Sequence, residues 1–247
     1  MAKVIAIINQ KGGVGKTTTA VNLSALLGAM GQRVLMIDLD PQGNTTSGLG
    51  MEVDDKSVYE VIMGRMKLAD VMEETEFKNL SIAGSDVRLA NAELELVEVE
   101  KREYRLKTAV QSIQQDFDFI FIDCPPSLGL LTINALGAAD SVLIPIQCEY
   151  YALEGVASLM NTISRVKKTI NPHLEIEGVL LTMLDGRTNL GLQVVDEVKK
   201  HFKKQVYATV IPRSVRLGEA PSHGEPIHVY DKRSAGCVAY VNLAKEV

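Results

Sequence analysis

Ten residues near the start of the chain, Asn9-Gln10-Lys11-Gly12-Gly13-Val14-Gly15-Lys16-Thr17-Thr18, combine three glycines, two lysines and two threonines. They follow a short β-branched apolar run, Val4 to Ile8, and precede a helical pattern through Ala20, Leu23, Leu26 and Leu27. Strand, glycine-rich turn and helix start are the setting in which a chain binds phosphate. Glycines let successive N–H groups turn inward, and the helix N-terminus adds partial positive charge. Lys16 then reaches the β- and γ-phosphates, and the Thr17 hydroxyl ligates Mg²⁺. The usual G-x-x-x-x-G-K-[ST] spacing requires a glycine where this chain has Gln10, so the loop is a variant with an extra lysine, Lys11. A tight turn made only for its shape accounts for neither Lys16-Thr17 nor Lys11.

Three carboxylates accompany the loop. Asp38 and Asp40 follow the apolar run Val34 to Ile37, and Asp123 ends the run Phe119 to Ile122, just before Pro125 and Pro126 break the strand. At the carboxyl end of a parallel sheet, Asp40 is placed to orient an attacking water and Asp123 to hold Mg²⁺ directly or through water. Asp38 lies two residues before Asp40 on the same side of the strand and is a weaker candidate for the metal. The competing readings are an Asp-Pro turn for Asp40 and a capping role for Asp123.

The elements that must position these groups are legible as apolar runs at Val142 to Ile146, Val179 to Met183 and Val206 to Ile211, besides those already named. Helical stretches lie between them, near Leu128 to Leu136, Leu153 to Lys168 and Leu192 to Phe202. Near-continuous apolar strands are covered on both faces, which predicts a doubly wound, mostly parallel α/β sheet flanked by helices. Asn79 to Ala83 is a candidate further strand, and the acidic stretch Ala90 to Gln114 reads as one or two helices. No repeat or linker divides the 247 residues, so one domain, 1–247, is expected.

The chain is 46% apolar and 23% charged, which excludes disorder throughout. Its three cysteines, Cys124, Cys148 and Cys237, are widely spaced and never paired as C-x-x-C, against a disulfide framework or a four-cysteine zinc site. No secretory signal pattern and no apolar run of about 18 residues is present, so a cytoplasmic location without a membrane span is expected. The four histidines, His173, His201, His223 and His228, have no metal-ligand spacing. Net charge is −5, but its distribution is uneven: 14 acidic against 7 basic residues from Glu52 to Glu103, and 7 basic against 2 acidic from Arg187 to Arg216. The later segment is a candidate basic face.

Lys11-Gly12-Gly13-Val14-Gly15-Lys16-Thr17 resembles the deviant Walker A motif of the ParA/MinD superfamily of P-loop ATPases. Asp38-Leu39-Asp40-Pro41-Gln42-Gly43-Asn44, Phe121-Ile122-Asp123-Cys124-Pro125-Pro126-Ser127 and the segment from Ile211-Pro212-Arg213 to Gly224 resemble its ParA/Soj chromosome-partitioning branch. The resemblance covers nearly the whole chain. It implies ATP or ADP with Mg²⁺ on Lys11, Gly12, Gly13, Val14, Gly15, Lys16, Thr17 and Thr18. It also implies adenine contacts from Pro212, Arg213 and nearby Val215, and a Walker B role for Asp123. Lys11 would act across an ATP-dependent sandwich homodimer on the partner's phosphates, and Asp40 would be the hydrolysis-linked aspartate. Glu149-Tyr150-Tyr151 would lie near the dimer and nucleotide region.

Arg187 and Arg216 match positions that bind double-stranded DNA non-specifically in Soj-like proteins, with Lys199, Lys200, Lys203 and Lys204 as supporting residues on a helix face. A ParB-like centromere-binding protein is the implied stimulating partner, and a nucleoid-associated protein the implied setting. Three alternatives remain at this stage. A MinD-like positioning ATPase would use a basic amphipathic C-terminal helix on a membrane, but the end from Ala239 to Val247 carries little basic charge. A redox relative of the nitrogenase iron protein would need cluster-ligating cysteines, and Cys124 and Cys148 fit no such spacing. A nucleotide-gated binder without turnover would have no use for Asp40.

Overall fold

The computed structural model describes residues 1–247, and eight strands form one sheet in it. In chain order they are β1 (Lys3–Ile7), β2 (Val34–Asp38), β3 (Met72–Glu74), β4 (Leu80–Ala83), β5 (Phe119–Asp123), β6 (Ser141–Gln147), β7 (Glu175–Leu184) and β8 (Val206–Pro212). Across the sheet they run β3-β4-β2-β5-β1-β6-β7-β8, and every pairing is parallel except β3 with β4. The expected doubly wound α/β architecture is therefore the one adopted.

The apolar runs of the central strands are explained by what each face meets. Along β1 and the residue that follows it, Val4, Ala6 and Ile8 enter one hydrophobic core, and Ile5 and Ile7 enter the other. The larger core is closed by helices Leu130–Ala138, Val156–Thr169 and Asn189–Phe202 through Leu131, Leu159 and Val195. The second lies under helix Lys16–Ala29 and the terminal helix Ala235–Glu246, through Leu23, Leu27, Tyr240 and Leu243. A two-residue period carries alternate side chains to opposite faces, so a strand covered on both sides must be apolar throughout.

Helix Lys16–Ala29 approaches its neighbours closely. A Cβ on Gly28 would stand 2.4 Å from the Lys78 carbonyl oxygen, so only glycine fits there. At the far edge, the β7–β8 ladder slips between Val206 and Val210. The backbone N–H groups of Ala208 and Thr209 in that irregular stretch donate instead to the Glu246 carboxylate, at 2.9 and 2.8 Å.

The structure differs from the sequence reading in its peripheral pieces. The antiparallel edge strand β3 was not anticipated, because its residues are half-buried or exposed and lack an apolar run. The stretch Ala90 to Gln114 is broken into pieces: the end of a 3₁₀ turn, Val87–Asn91, a second 3₁₀ turn, Arg102–Tyr104, and short helices Ala92–Glu95 and Arg105–Gln111.

Candidate functional site

The phosphate loop joins β1 to helix Lys16–Ala29 at the carboxyl end of the sheet. Gly13 and Gly15 have φ of 72° and 89°, left-handed values that favour glycine, and Gly15 is the helix N-cap. The loop is fixed from both sides. Asn9 donates to the Pro145 carbonyl at 2.6 Å and accepts from the Lys11 N–H at 3.0 Å, while Thr182 donates to the Val14 carbonyl at 2.8 Å. Lys16 is buried, and its ammonium lies 3.3 Å from the Lys11 carbonyl oxygen. Burial pushes its pKa down, against the pull of Asp123, Cys124 and Asp40. Lys11 is half-buried, with its ammonium 5.9 Å from the centroid of the Tyr151 ring.

Asp38 and Asp123 are register partners on the adjacent strands β2 and β5, and both are fully buried. Asp123 Oδ2 accepts from the Thr17 hydroxyl at 2.8 Å and from the Thr45 hydroxyl at 2.7 Å. Its other oxygen, Oδ1, is buried with no partner. Burial pushes the Asp123 carboxyl up to about 6, against the hydrogen bonds from Thr45 and Thr17 and the charge of Lys16. Asp38 is raised to about 7, first by burial and then by the charge of Asp123. Both Asp38 oxygens are engaged: Oδ2 accepts from the Thr46 N–H and hydroxyl at 2.9 and 2.7 Å, and Oδ1 from the Asp40 N–H at 3.2 Å. Asp40 stands just past the strand end, where its Oδ1 accepts from the Gln42 N–H at 3.0 Å.

This donor set fits magnesium. Mg²⁺ takes one or two protein oxygens and completes its octahedron with water and phosphate. The orphaned Oδ1 of Asp123 beside the Thr17 hydroxyl supplies such oxygens next to the phosphate loop. No group of three His, Cys, Asp or Glu side chains is arranged as a self-sufficient metal cage. The cysteines are free and buried, and burial holds the Cys124 thiol well above its ordinary range.

A cleft of about 220 Å³ opens beside the loop. Gly15 and Thr18 form its loop side, and Pro212 and Arg213 its β8 side, so the structure brings these predicted residues together. Val215 is 75% exposed and does not line the cleft. Sequence reasoning missed Thr182, Met183, Leu217 and Tyr240, which do. The Tyr240 hydroxyl is 3.1 Å from the Thr19 hydroxyl, which ties the terminal helix to helix Lys16–Ala29. Nothing near Tyr240 in the chain marks it as a cleft residue, whereas Met183 ends an apolar strand, the position where ligand-binding residues collect. Thr45 and Thr46 were missed as well, although they sit at the start of a helix just after the Asp40 turn.

The basic residues divide into two places. Arg187 and Arg216 follow the carboxyl ends of the adjacent strands β7 and β8, which pair Leu184 with Pro212. Arg187 is 89% exposed at its side chain and pairs with Asp185 at 2.7 Å; Arg216 pairs with Glu219 at 2.9 Å. Lys199 and Lys200 lie in the last turn of helix Asn189–Phe202, and Lys203 and Lys204 follow it. A helix of 14 residues is about 21 Å long, so the lysines stand at the opposite end from Arg187.

A family model described as an AAA domain matches residues 2–176. The chain is 59% identical to the sporulation initiation inhibitor protein Soj of Bacillus subtilis, across 100% of this chain and 98% of that protein. It is 51% identical to the chromosome partitioning protein ParA of Myxococcus xanthus, across 100% of this chain and 88% of that one. Among solved structures it is similar to a protein of Mycobacterium smegmatis described as cobyrinic acid a,c-diamide synthase with bound ATP analog and magnesium. That match has a TM-score of 0.87 and 38% identity, over 99% of this chain and 93% of the other. The septum site-determining protein MinD of Pyrococcus horikoshii, complexed with Mg-ADP, has a TM-score of 0.83 and 28% identity, over 100% and 96%. With full-length identity to Soj and ParA and a phosphate loop facing paired aspartates, the chain belongs to the Soj/ParA family of chromosome-partitioning P-loop ATPases.

Proposed function

We propose that this chain, as one domain, is a DNA-partitioning ATPase whose Mg-ATP state is a sandwich homodimer that binds double-stranded DNA without regard to sequence. The observation that carries the nucleotide chemistry is the Thr17 hydroxyl bonded to a buried Asp123 whose other oxygen has no partner. Bound magnesium would neutralise phosphate charge as it develops in the transition state. The glycine loop, with Lys11 to Thr18, holds the phosphates, and Thr17 and Asp123 hold the metal, with Asp38 beneath them as hydrogen-bonded support.

Lys16 lies on the phosphates from within the chain, and Lys11 reaches the partner's, so that the charge stabilising transfer is complete only in the dimer. Asp40 orients the attacking water from the strand end. Pro212 and Arg213 contact adenine in the cleft, with Val215 outside it. Arg187 and Arg216 contact DNA phosphates, which demands charge and no base readout. A ParB-like centromere-binding protein accelerates hydrolysis and releases the dimer from the nucleoid.

Against a membrane output stands the burial of Cys237, Ala239, Tyr240, Leu243 and Ala244. The apolar face of the terminal helix is already used by the core, and no helix of the chain is long and apolar enough to cross a membrane.

The test is DNA retention by the Asp40→Ala protein with ATP and with ADP across a salt titration. Binding that requires ATP, ignores sequence and falls steeply with salt is the expected result. Absence of binding with both nucleotides, in a protein that still binds ATP, would reject the DNA output and leave the ATPase core. Parental turnover in Asp40→Ala would reject that residue's role.

A further inference from the structure

A second cleft, of about 480 Å³, lies away from the phosphate loop, between the segment from Val61 to Leu68 and the segment from Glu100 to Ser112. It shares no lining residue with the loop or the adenine cleft. Its volume is in the range of small-molecule sites, about 300–1,000 Å³. Three cations line it, Lys67, Lys101 and Arg105, against one carboxylate, Glu100. This is an inversion of its surroundings, since the stretch Glu52 to Glu103 carries twice as many acidic as basic residues.

Arg105 is the unusual member. Arg33, Arg65, Arg88, Arg187, Arg213 and Arg216 each lie within ion-pair distance of a carboxylate. Of the others, Arg102 donates to the Leu96 and Val97 carbonyls, and Arg165 and Arg233 are exposed to solvent. The half-buried Arg105 has no such partner, and its Nε is buried without any hydrogen bond. A buried donor left unpaired costs free energy, so its persistence asks for a reason.

The opposite wall is shaped around the same guanidinium. A Cβ on Gly64 would stand 2.6 Å from Arg105 Nη1, and Gly64 has φ of +74°, so the turn there is both left-handed and bare. Lys101 at the rim also has a left-handed backbone, with φ of 54°. Val61, Met66 and Leu68 give the cleft an apolar side, and Tyr104 a ring. A planar guanidinium with two ammonium groups suits a phosphate, and the apolar side suits a hydrophobic body attached to it.

We propose that this cleft binds a small phosphate monoester with an apolar or aromatic body, independently of the nucleotide site, with Arg105 as its principal anchor.

The probe is phenyl phosphate, titrated calorimetrically into the full chain saturated with Mg-ADP so that the phosphate loop is filled. Saturable binding of one equivalent is expected, with no binding of phenol. Arg105→Gln should weaken it by about tenfold or more and Lys101→Ala by less, whereas Lys168→Ala, an exposed cation on another helix, should leave it unchanged. If Arg105→Gln does not fold, Lys101→Ala and Gly64→Ala carry the comparison, since a Cβ at position 64 displaces the guanidinium. Failure of the parental protein to bind, or equal binding by folded Arg105→Gln, would overturn the site. So would loss of binding in Lys168→Ala.

Discussion

Asp38 and Asp123 stand opposite each other on neighbouring strands, and consecutive threonines of one short helix, Asn44–Gly48, serve them: Thr46 bonds Asp38, and Thr45 bonds Asp123. A single turn of chain thus reports on both carboxylates. Any movement of that turn relative to Asp40, which lies four residues before it, would shift the hydrogen bond to Asp123 Oδ2, on the carboxylate whose other oxygen has no partner.

Asp123→Asn is expected to remove the part of ADP-induced stabilisation that depends on magnesium while leaving the magnesium-free part. At nucleotide concentrations about 100 times Kd the parental protein gains about 2.7 kcal/mol from binding. Thermal unfolding with ADP, with and without Mg²⁺, checks this. An unchanged magnesium increment in Asp123→Asn would show that the ion is held elsewhere.

The separation of the basic residues leads to a difference in salt dependence. Each lost phosphate contact lowers the slope of log K against log salt by about 0.9, so Arg187→Ala should lower it by about 2 in a dimer. The double variant Lys203→Ala/Lys204→Ala, altered at the other end of the helix, should keep the parental slope. Filter binding of non-specific duplex at several salt concentrations distinguishes them, and equal loss in both would merge the two groups into one surface.

Gly28→Ala places a methyl group where the Lys78 carbonyl oxygen leaves 2.4 Å. Overpacking of this kind costs about 1–3 kcal/mol, more than the helix propensity of alanine returns. Urea unfolding should show a lower midpoint at unchanged slope. A midpoint at or above the parental value would mean that the loop carrying Lys78 yields freely.

Asp118 accepts from the Arg33 N–H at 2.9 Å and from its guanidinium at 3.2 and 2.8 Å. These bonds hold its carboxyl down to about 2, below the ordinary 3.8. A depressed carboxyl contributes stability that is complete above pH 4 and disappears as the pH falls toward 2. Asp118→Asn should therefore lower the unfolding midpoint at pH 6 and flatten its fall between pH 4 and 2. An acid limb identical to the parental one would remove this pair from the account. Both groups are exposed, so the effect is small.

The legible part of this molecule is the part where one physical demand dominates. Continuous apolar runs locate the central strands because both faces of the sheet are covered, and the glycines and lysines of the loop locate the phosphate site because no packing role needs that combination. Met72–Glu74 was not legible because an antiparallel edge strand is held by one neighbour and needs no apolar pattern. Thr45, Thr46 and Tyr240 were not legible because their partners are Asp123, Asp38 and Thr19, at 78, 8 and 221 residues' separation. Charge counting along the chain groups the lysines at 199–204 with Arg187 without registering the 14-residue helix between them.

The Glu246 carboxylate collects the N–H groups of Ala208 and Thr209 at the β8 margin. Unclaimed donors on an outer strand invite a strand from another molecule, which is how sheets grow into fibres. Here that invitation is withdrawn at the irregular stretch between Val206 and Val210. In the proposed DNA-bound state, molecules gathered on one duplex would reach high local density while their sheets stay discrete, and growth of an ordered array would have to proceed through the molecule's other surfaces.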